Sequence, residues 1–179
     1  MYSPTMHCFL KCPTLLRGLA SIALEERVND LAEVVGFEFD EKEKRQFEFR
    51  DDRLRECAKK GNLVEVDLVR YRIQRVGGKK KRNYILDECK LRNGKASLSE
   101  VKCFQLKVEE FIRREQEKSS GYGGIDKPRI ETTWFVSLPG FEFSPNLMNS
   151  EKSPIRVELI DNERLNTMLR NNNLPQVII

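Results

Sequence analysis

Over residues 15–35, "LLRGLASIALEERVNDLAEVV", apolar side chains recur every three or four positions (Leu16, Ala20, Leu24, Val28, Leu31, Val35). That period predicts an amphipathic helix, which Gly36 is placed to end. "FEF" at 37–39 and again at 47–49 alternates like strand, and "DEKEKRQ" between them is too charged for a core. "DDRLRECAKKGN", 51–62, reads as a loop or a short helix ending at Gly61. "LVEVDLVRYRIQRV", 63–76, has the composition of one strand; "GGKKKRN" turns, and "YILDECKL" returns as the second arm of a hairpin. Ser97 with Glu100 three residues later forms a capping-box pattern, and Val101, Phe104, Val108 and Phe111 carry one apolar stripe to about Arg114. "KSSGYGGIDKP", 118–128, reads as a loop. "ETTWFVSL", 131–138, is a buried strand ended by Pro139-Gly140, and "IRVELI", 155–160, is a last strand before a short helix near 162–171. Helix, strands, helix, strand, strand, helix is the order of an α/β or α+β domain with a mixed central sheet.

At 179 residues, with no internal repeat or low-complexity tract, the chain is expected to form a single domain around one core. Hydrophobic residues at 39% and charged residues at 34% are polar for a globular protein but still compatible with a core. No apolar run approaches the roughly 20 residues of a membrane span. The start, "MYSPTMHCFLKCPTLL", lacks the basic, apolar and small-residue order of a signal peptide. The expectation is a soluble, cytoplasmic protein with no membrane partner. The net charge of +4 says little, but its distribution says more. Arg70, Arg72, Arg75, Lys79, Lys80, Lys81 and Arg82 follow one another with no intervening acid. Such a patch is either a phosphate-binding surface or a solvated hairpin tip. Five cysteines without a secretory signal argue against a disulfide framework, and Cys57, Cys89 and Cys103 read as small apolar residues. His7, Cys8 and Cys12 could supply three zinc ligands, but no fourth is evident and the spacing fits no common finger.

Acid-x-lysine occurs at Asp40–Lys42, Glu88–Lys90 and Glu100–Lys102, and only the middle pair ends an apolar strand. Glu88 and Lys90 lie two apart, so in a strand they share a face, about 7 Å apart along it. The hairpin brings the strand of Asp67 beside that of Glu88, so each strand directs an acid toward one divalent cation. Hard cations take oxygen ligands, lower the pKa of a bound water and offset charge on a phosphate. A lysine beside them orients the attacking water, and the Cys89 carbonyl lies between the two motif residues. Lys90 reads alternatively as a plain ion-pair partner of Glu88, and Glu65 as an extra ligand or a strand-edge residue.

This arrangement resembles the PD-(D/E)xK nuclease superfamily, which includes restriction endonucleases, Holliday-junction resolvases and Mrr-type enzymes. The motif acid of the second core strand corresponds to Asp67 in "VEVDLV", and the D/E-x-K of the third to "ECK", Glu88 to Lys90. "EERVNDLAEVVGF" is similar to the first helix of resolvase-like members, with Glu25 as the matching acid. Val66 stands where many members have proline, and Gln105 stands either as a polar helper of the site or as a surface residue. Glu25 in turn reads equally as part of a solvated helix face.

The resemblance implies a restriction-endonuclease-like αβββαβ core over about 15–138, with a C-terminal strand and helix as an extension, 139–179. It implies a Mg²⁺-dependent endonuclease, with Mn²⁺ as substitute, that hydrolyses DNA phosphodiesters. Asp67, Glu88, Glu25 and the Cys89 carbonyl would hold the metal, and Lys90 would position the water. The basic hairpin, with Lys102, Lys107, Arg113 and Arg114, would hold backbone phosphates, and the glycine-rich loop at 119–125 would order on DNA. Nucleases of this kind commonly act as dimers, so a homodimer belongs to the expectation. The alternative is a catalytically inactive nuclease-fold module for nucleic-acid binding or assembly.

Overall fold

A computed structural model describes residues 14–39, 46–58, 61–91, 93–119, 125–144 and 155–177. In chain order it comprises α1 (Thr14–Val34), β1 (Glu38–Phe39), β2 (Gln46–Glu48), a 3₁₀ helix (Asp52–Cys57), β3 (Leu63–Glu65), β4 (Leu68–Val76), β5 (Lys79–Lys90), α2 (Leu98–Ser119), β6 (Ile125–Ser137), β7 (Glu158–Ile160) and α3 (Asn162–Asn171). Five strands form one mixed sheet in the order β1-β4-β5-β6-β7. The β1–β4 and β4–β5 pairs are antiparallel, and the β5–β6 and β6–β7 pairs are parallel.

The helices divide between the two faces of this sheet. Leu24, Val28 and Leu31 of α1 pack with Ile85 and Cys89 of β5, joined by Leu165 and Leu169 of α3. Val101, Phe104, Val108 and Phe111 of α2 pack with Tyr84 and Leu86 of the same strand. Alternation along β5 therefore sends odd-numbered residues toward α1 and even-numbered ones toward α2. The C-terminal segment covers the α1 face and adds β7 to the sheet edge.

Several sequence expectations are corrected. The run 63–76 is not one strand: β3 pairs with β2 in a separate two-stranded sheet, and the chain bends at Val66–Asp67 before β4 begins. No glycine or proline marks that bend, so the sequence reads straight through it. The second helix runs on to Ser119, past Arg114, because Arg113–Glu117 and Glu115–Lys118 pair across its last turns. Within the loop expected at 118–128, residues up to Ser119 belong to α2 and those from Ile125 to β6. The β5–β6 register slips by one residue twice, first between Asp126 and Arg129, where Pro128 cannot donate to a ladder, and again between Ile130 and Thr132. Cys57 and Cys103 are joined as a disulfide across 46 residues, where packing of α2 on the 3₁₀ helix brings them together. Cys89 is a free, buried thiol, as its apolar setting suggested. His7, Cys8, Cys12, Asp40 and most of the 119–125 loop lie outside the described residues. Among the described residues no helix is long and apolar enough to cross a membrane.

Candidate functional site

The end of β5 runs through the middle of the sheet instead of out to solvent, so "DECK" is buried rather than a surface terminus. Glu88 is 5% exposed and points to the α2 face, as the parity of Tyr84 and Leu86 requires. There Lys107 of α2 donates to both of its oxygens at 3.1 Å. Lys90, half-buried, donates to Glu88 Oε1 at 2.5 Å. Burial alone would depress the Lys90 ammonium, but the attraction of Glu88, Asp67 and Glu100 outweighs it and holds the group above its ordinary value.

Asp67 joins this pair from the bend before β4. The β4–β5 ladder ends at Leu68 opposite Asp87, which leaves the Cys89 N–H beyond the last rung. Asp67 Oδ2 takes that N–H at 2.7 Å, so the carboxylate substitutes for the missing strand. A strand residue offers its N–H and carbonyl to the same edge, so the Cys89 carbonyl faces Asp67 as well. Burial raises the Asp67 carboxyl above its ordinary value and the Glu88 carboxylate adds to the shift, while the Cys89 N–H, Lys90 and Lys107 oppose it. Two acids within electrostatic reach, a backbone amide and two lysines thus converge at one strand end. Asp67, Glu88 and Lys90 lie within electrostatic reach of one another.

The opposite face of β5 holds a different group. Asp87 is fully buried toward α1, and neither of its oxygens has a hydrogen-bond partner among the described residues. Burial pushes this carboxyl well above its ordinary value; the nearby Trp134 N–H and the Arg70 guanidinium favour the charged form but do not offset the burial. The Cys89 thiol is pushed up too, first by burial, then by the charges of Asp87, Asp67, Glu25 and Glu88. Glu25, half-buried on α1, therefore lies within electrostatic reach of Cys89, on the α1 side of the sheet.

Lys107 is the site residue that sequence reasoning misassigned. Expected to hold backbone phosphates with Lys102, Arg113 and Arg114, it is 7% exposed and serves Glu88. The signal was present: Lys107 stands three residues after Phe104 and four before Phe111, on the apolar stripe itself. The other basic positions of α2 are engaged too. Arg113 pairs with Glu110 and Glu117, and Arg114 donates to the Glu48 carbonyl beside the Phe47 ring. Gln105 is neither a site helper nor a surface residue, because it is buried and donates to the Ile155 carbonyl at 2.8 Å.

The structure also divides the basic hairpin. Arg70 is only 3% exposed, and it donates to Asn29 Oδ1 at 2.7 Å and the Phe37 carbonyl at 2.9 Å, tying β4 to α1. It does not belong to a phosphate-facing surface. Arg72 pairs with Glu131, and Arg82 lies over the Tyr71 ring. Gly77 and Gly78, with φ of +58° and +79°, make the tight turn. Beside that turn Arg75 and Lys80, both exposed, sit directly opposite each other, and Lys81 follows half-exposed. Lys79 is part of β5, but its side chain lies outside the described residues. Like charges placed opposite one another are mildly destabilising, which is more economical for a surface that meets an anion than for a bare tip.

Comparison with protein-family models, with curated proteins and with solved structures finds no match to this chain.

Proposed function

We propose that the chain is a divalent-cation-dependent deoxyribonuclease of the PD-(D/E)xK type, with its centre at the end of β5. The observation that carries this reading is the convergence of Asp67, from the bend before β4, with Glu88 and Lys90 of β5. The order α1, β1, β4, β5, α2, β6 supports it, since that series is a helix, an antiparallel meander, a helix and a parallel strand. The donor set suits Mg²⁺, with Mn²⁺ as substitute. Glu88 raises the Asp67 carboxyl, and a cation shared by the two would remove that repulsion. No group of three or more acidic, histidine or cysteine side chains among the described residues is arranged to enclose a metal. The ion would thus keep waters and phosphate oxygens in its shell, the usual habit of Mg²⁺.

Asp67 and Glu88 would hold the cation, with the Cys89 carbonyl, and with Glu25 acting through water. When bound, it supplies a water of lowered pKa and offsets charge developing on the phosphate. The protein's own groups do the rest. Lys90, kept protonated by its acidic neighbours, orients the attacking water. Lys107 holds the Glu88 carboxylate in place on the α2 face of β5. Arg75, Lys80 and Lys81 would bind backbone phosphates, contacts that fix position without reading sequence. Lys80 lies about 26 Å along the strand from Glu88, so a duplex touching both would span about eight base pairs.

One observation favours a second reading. Lys90 and Lys107 already neutralise Glu88, so a structural ion triad accounts for that acid without a cation. On this reading the chain is a non-catalytic nucleic-acid-binding or assembly module. Labelled duplex, single-strand, flap and four-way-junction DNA, incubated with Mg²⁺ or Mn²⁺, separates the two. Metal-dependent cutting that Lys90→Ala removes is the expected result, whereas binding without cutting on every substrate would favour the module.

A further inference from the structure

We infer that the cavity beside the end of β5, between the 138–143 turn and the start of α3, is a pocket for an unpaired nucleobase. The inference rests on the nuclease reading for the pocket's purpose, but its chemistry stands separately. The cavity has a volume of about 440 Å³ and is lined by Lys95, Phe141, Phe143, Asp161, Asn162 and Glu163, among others. That size falls in the usual range for small-ligand sites, roughly 300–1,000 Å³. It opens where the parallel strands β5, β6 and β7 end, the side of an open α/β sheet on which ligands gather. Its wall residue Leu138 donates to the Lys90 carbonyl at 3.3 Å, which places the pocket next to the proposed centre.

One wall is aromatic and rigid. Phe141 and Phe143 are half-buried, with ring centroids 5.8 Å apart. Phe141 packs at 6.1 Å on Phe135, which packs at 5.8 Å on Phe104 in the core. The turn that carries them is pinned by Ala96 N to the Gly140 carbonyl at 2.9 Å, Glu142 N to the Ala96 carbonyl at 3.0 Å, and Ser137 Oγ to the Gly140 carbonyl at 2.8 Å. The rings are thus positioned before any ligand arrives, which lowers the entropy lost on stacking.

The other wall selects for donors. Asp161 caps α3 by accepting from Arg164 N at 2.9 Å, and Glu163 follows, exposed, in the first turn. Two carboxylates there disfavour a phosphate and favour amino groups, as when an acid accepts from cytosine N4. Lys95, exposed at the rim, supplies the positive charge that the attached backbone needs. A flat ring with an exocyclic amine, carried on a phosphodiester, satisfies all three features. Adenine, cytosine and guanine fit, and thymine lacks the amine. A base can enter only when it is out of the double helix, so the preferred substrate has unpaired nucleotides beside the scissile bond.

The test uses the full chain in EDTA, titrated with single strands carrying 2-aminopurine and with the same strands in duplex. We expect tighter binding of the single strand and quenching of the probe on stacking. Phe143→Leu should weaken binding about tenfold, within the range for one base–aromatic contact, and abolish the quench; Phe143→Tyr should restore both. Glu163→Gln, at an exposed position safe for folding, should shrink the preference for cytosine over thymine several-fold. Equal affinity and an unchanged probe signal in Phe143→Leu and Glu163→Gln, or no binding of single strands, would overturn the pocket. Metal-dependent cleavage alongside that outcome would leave the nuclease reading standing. A quench that Phe143→Leu removes, without any cleavage in Mg²⁺ or Mn²⁺, would instead sink the nuclease reading and keep the pocket.

Discussion

Asp87 and Glu88 are adjacent in the chain and almost equally buried, yet the two faces of β5 treat them oppositely. Glu88 meets two ammonium groups, one brought by α2 and one from its own strand. Asp87 meets the α1 face, where no hydrogen-bond donor completes a bond to either oxygen. A buried charge persists only when paired, and an unpaired carboxyl in the same setting takes up a proton instead. Burial by itself therefore does not decide what an acid can do; the groups that face it do. What distinguishes Glu88 is that the fold surrounds it with two ammonium groups that stabilise a negative charge.

The largest expected effect comes from removing the partner on which this contrast depends. Lys107→Met strands Glu88 opposite an apolar side chain and should cost about 3 kcal/mol, the low end for breaking a buried pair, because Lys90 remains. Urea denaturation measures it; a change within experimental error would mean that Lys90 and water suffice. Next is Asp67→Ala, which orphans the Cys89 N–H and should cost about 2 kcal/mol. The same variant should also lose any rise in melting temperature that Mg²⁺ gives the wild type, since a ligand of the folded state alone must stabilise it.

A third expectation concerns pH. The folded Asp87 carboxyl titrates above its ordinary 3.8, so the folded state keeps a proton that the unfolded chain has released. Its contribution to stability is complete below that value and is lost as pH rises toward the folded pKa. Asp67 shifts in the same direction. Wild-type stability should therefore decline as pH rises above about 4, and Asp87→Asn should flatten the decline while leaving the part due to Asp67. At pH 4 the substitution itself should change stability by under about 1 kcal/mol. An unchanged pH slope would show that Asp87 is charged in the fold after all. The smallest effect lies at the hairpin. Arg75→Ala with Lys80→Ala should raise stability by a few tenths of a kcal/mol, about what relief of one opposed like-charge pair gives. It should also weaken DNA binding equally for all sequences and lower the salt dependence by about two phosphate contacts.

Much of the architecture was legible in the sequence. The capping box is made as read, with Ser97 N bonded to Glu100 Oε2 at 2.9 Å. The buried strand before Pro139 and the last helix fall where periodicity places them, and the hairpin forms around Gly77-Gly78 with shorter first and longer second arms than read. What stayed hidden depends on partners far along the chain. Arg70 has the same parity as the exposed Arg72 and becomes buried only because Asn29 and the Phe37 carbonyl approach from α1 and the turn after it. The Cys57–Cys103 bridge needs the 3₁₀ helix to pack on α2. The acids of "DECK" look like a strand running into solvent until β6 and β7 are seen to extend the sheet past them. Asp67, Glu88 and Lys90 could be chosen from spacing alone, since a hairpin fixes which residues are opposite. Lys107 could have been chosen from helical periodicity, had its place on the apolar stripe outweighed its charge.

On the proposed function Glu88, and not its buried neighbour Asp87, belongs to the nuclease centre. Cleavage of end-labelled DNA in Mg²⁺, compared for the wild type, Glu88→Gln and Asp87→Asn, tests it most directly. The expected result is cutting by the wild type, its loss in Glu88→Gln, and its retention in Asp87→Asn. No cutting by the wild type in either Mg²⁺ or Mn²⁺, or cutting that survives in Glu88→Gln, would contradict it.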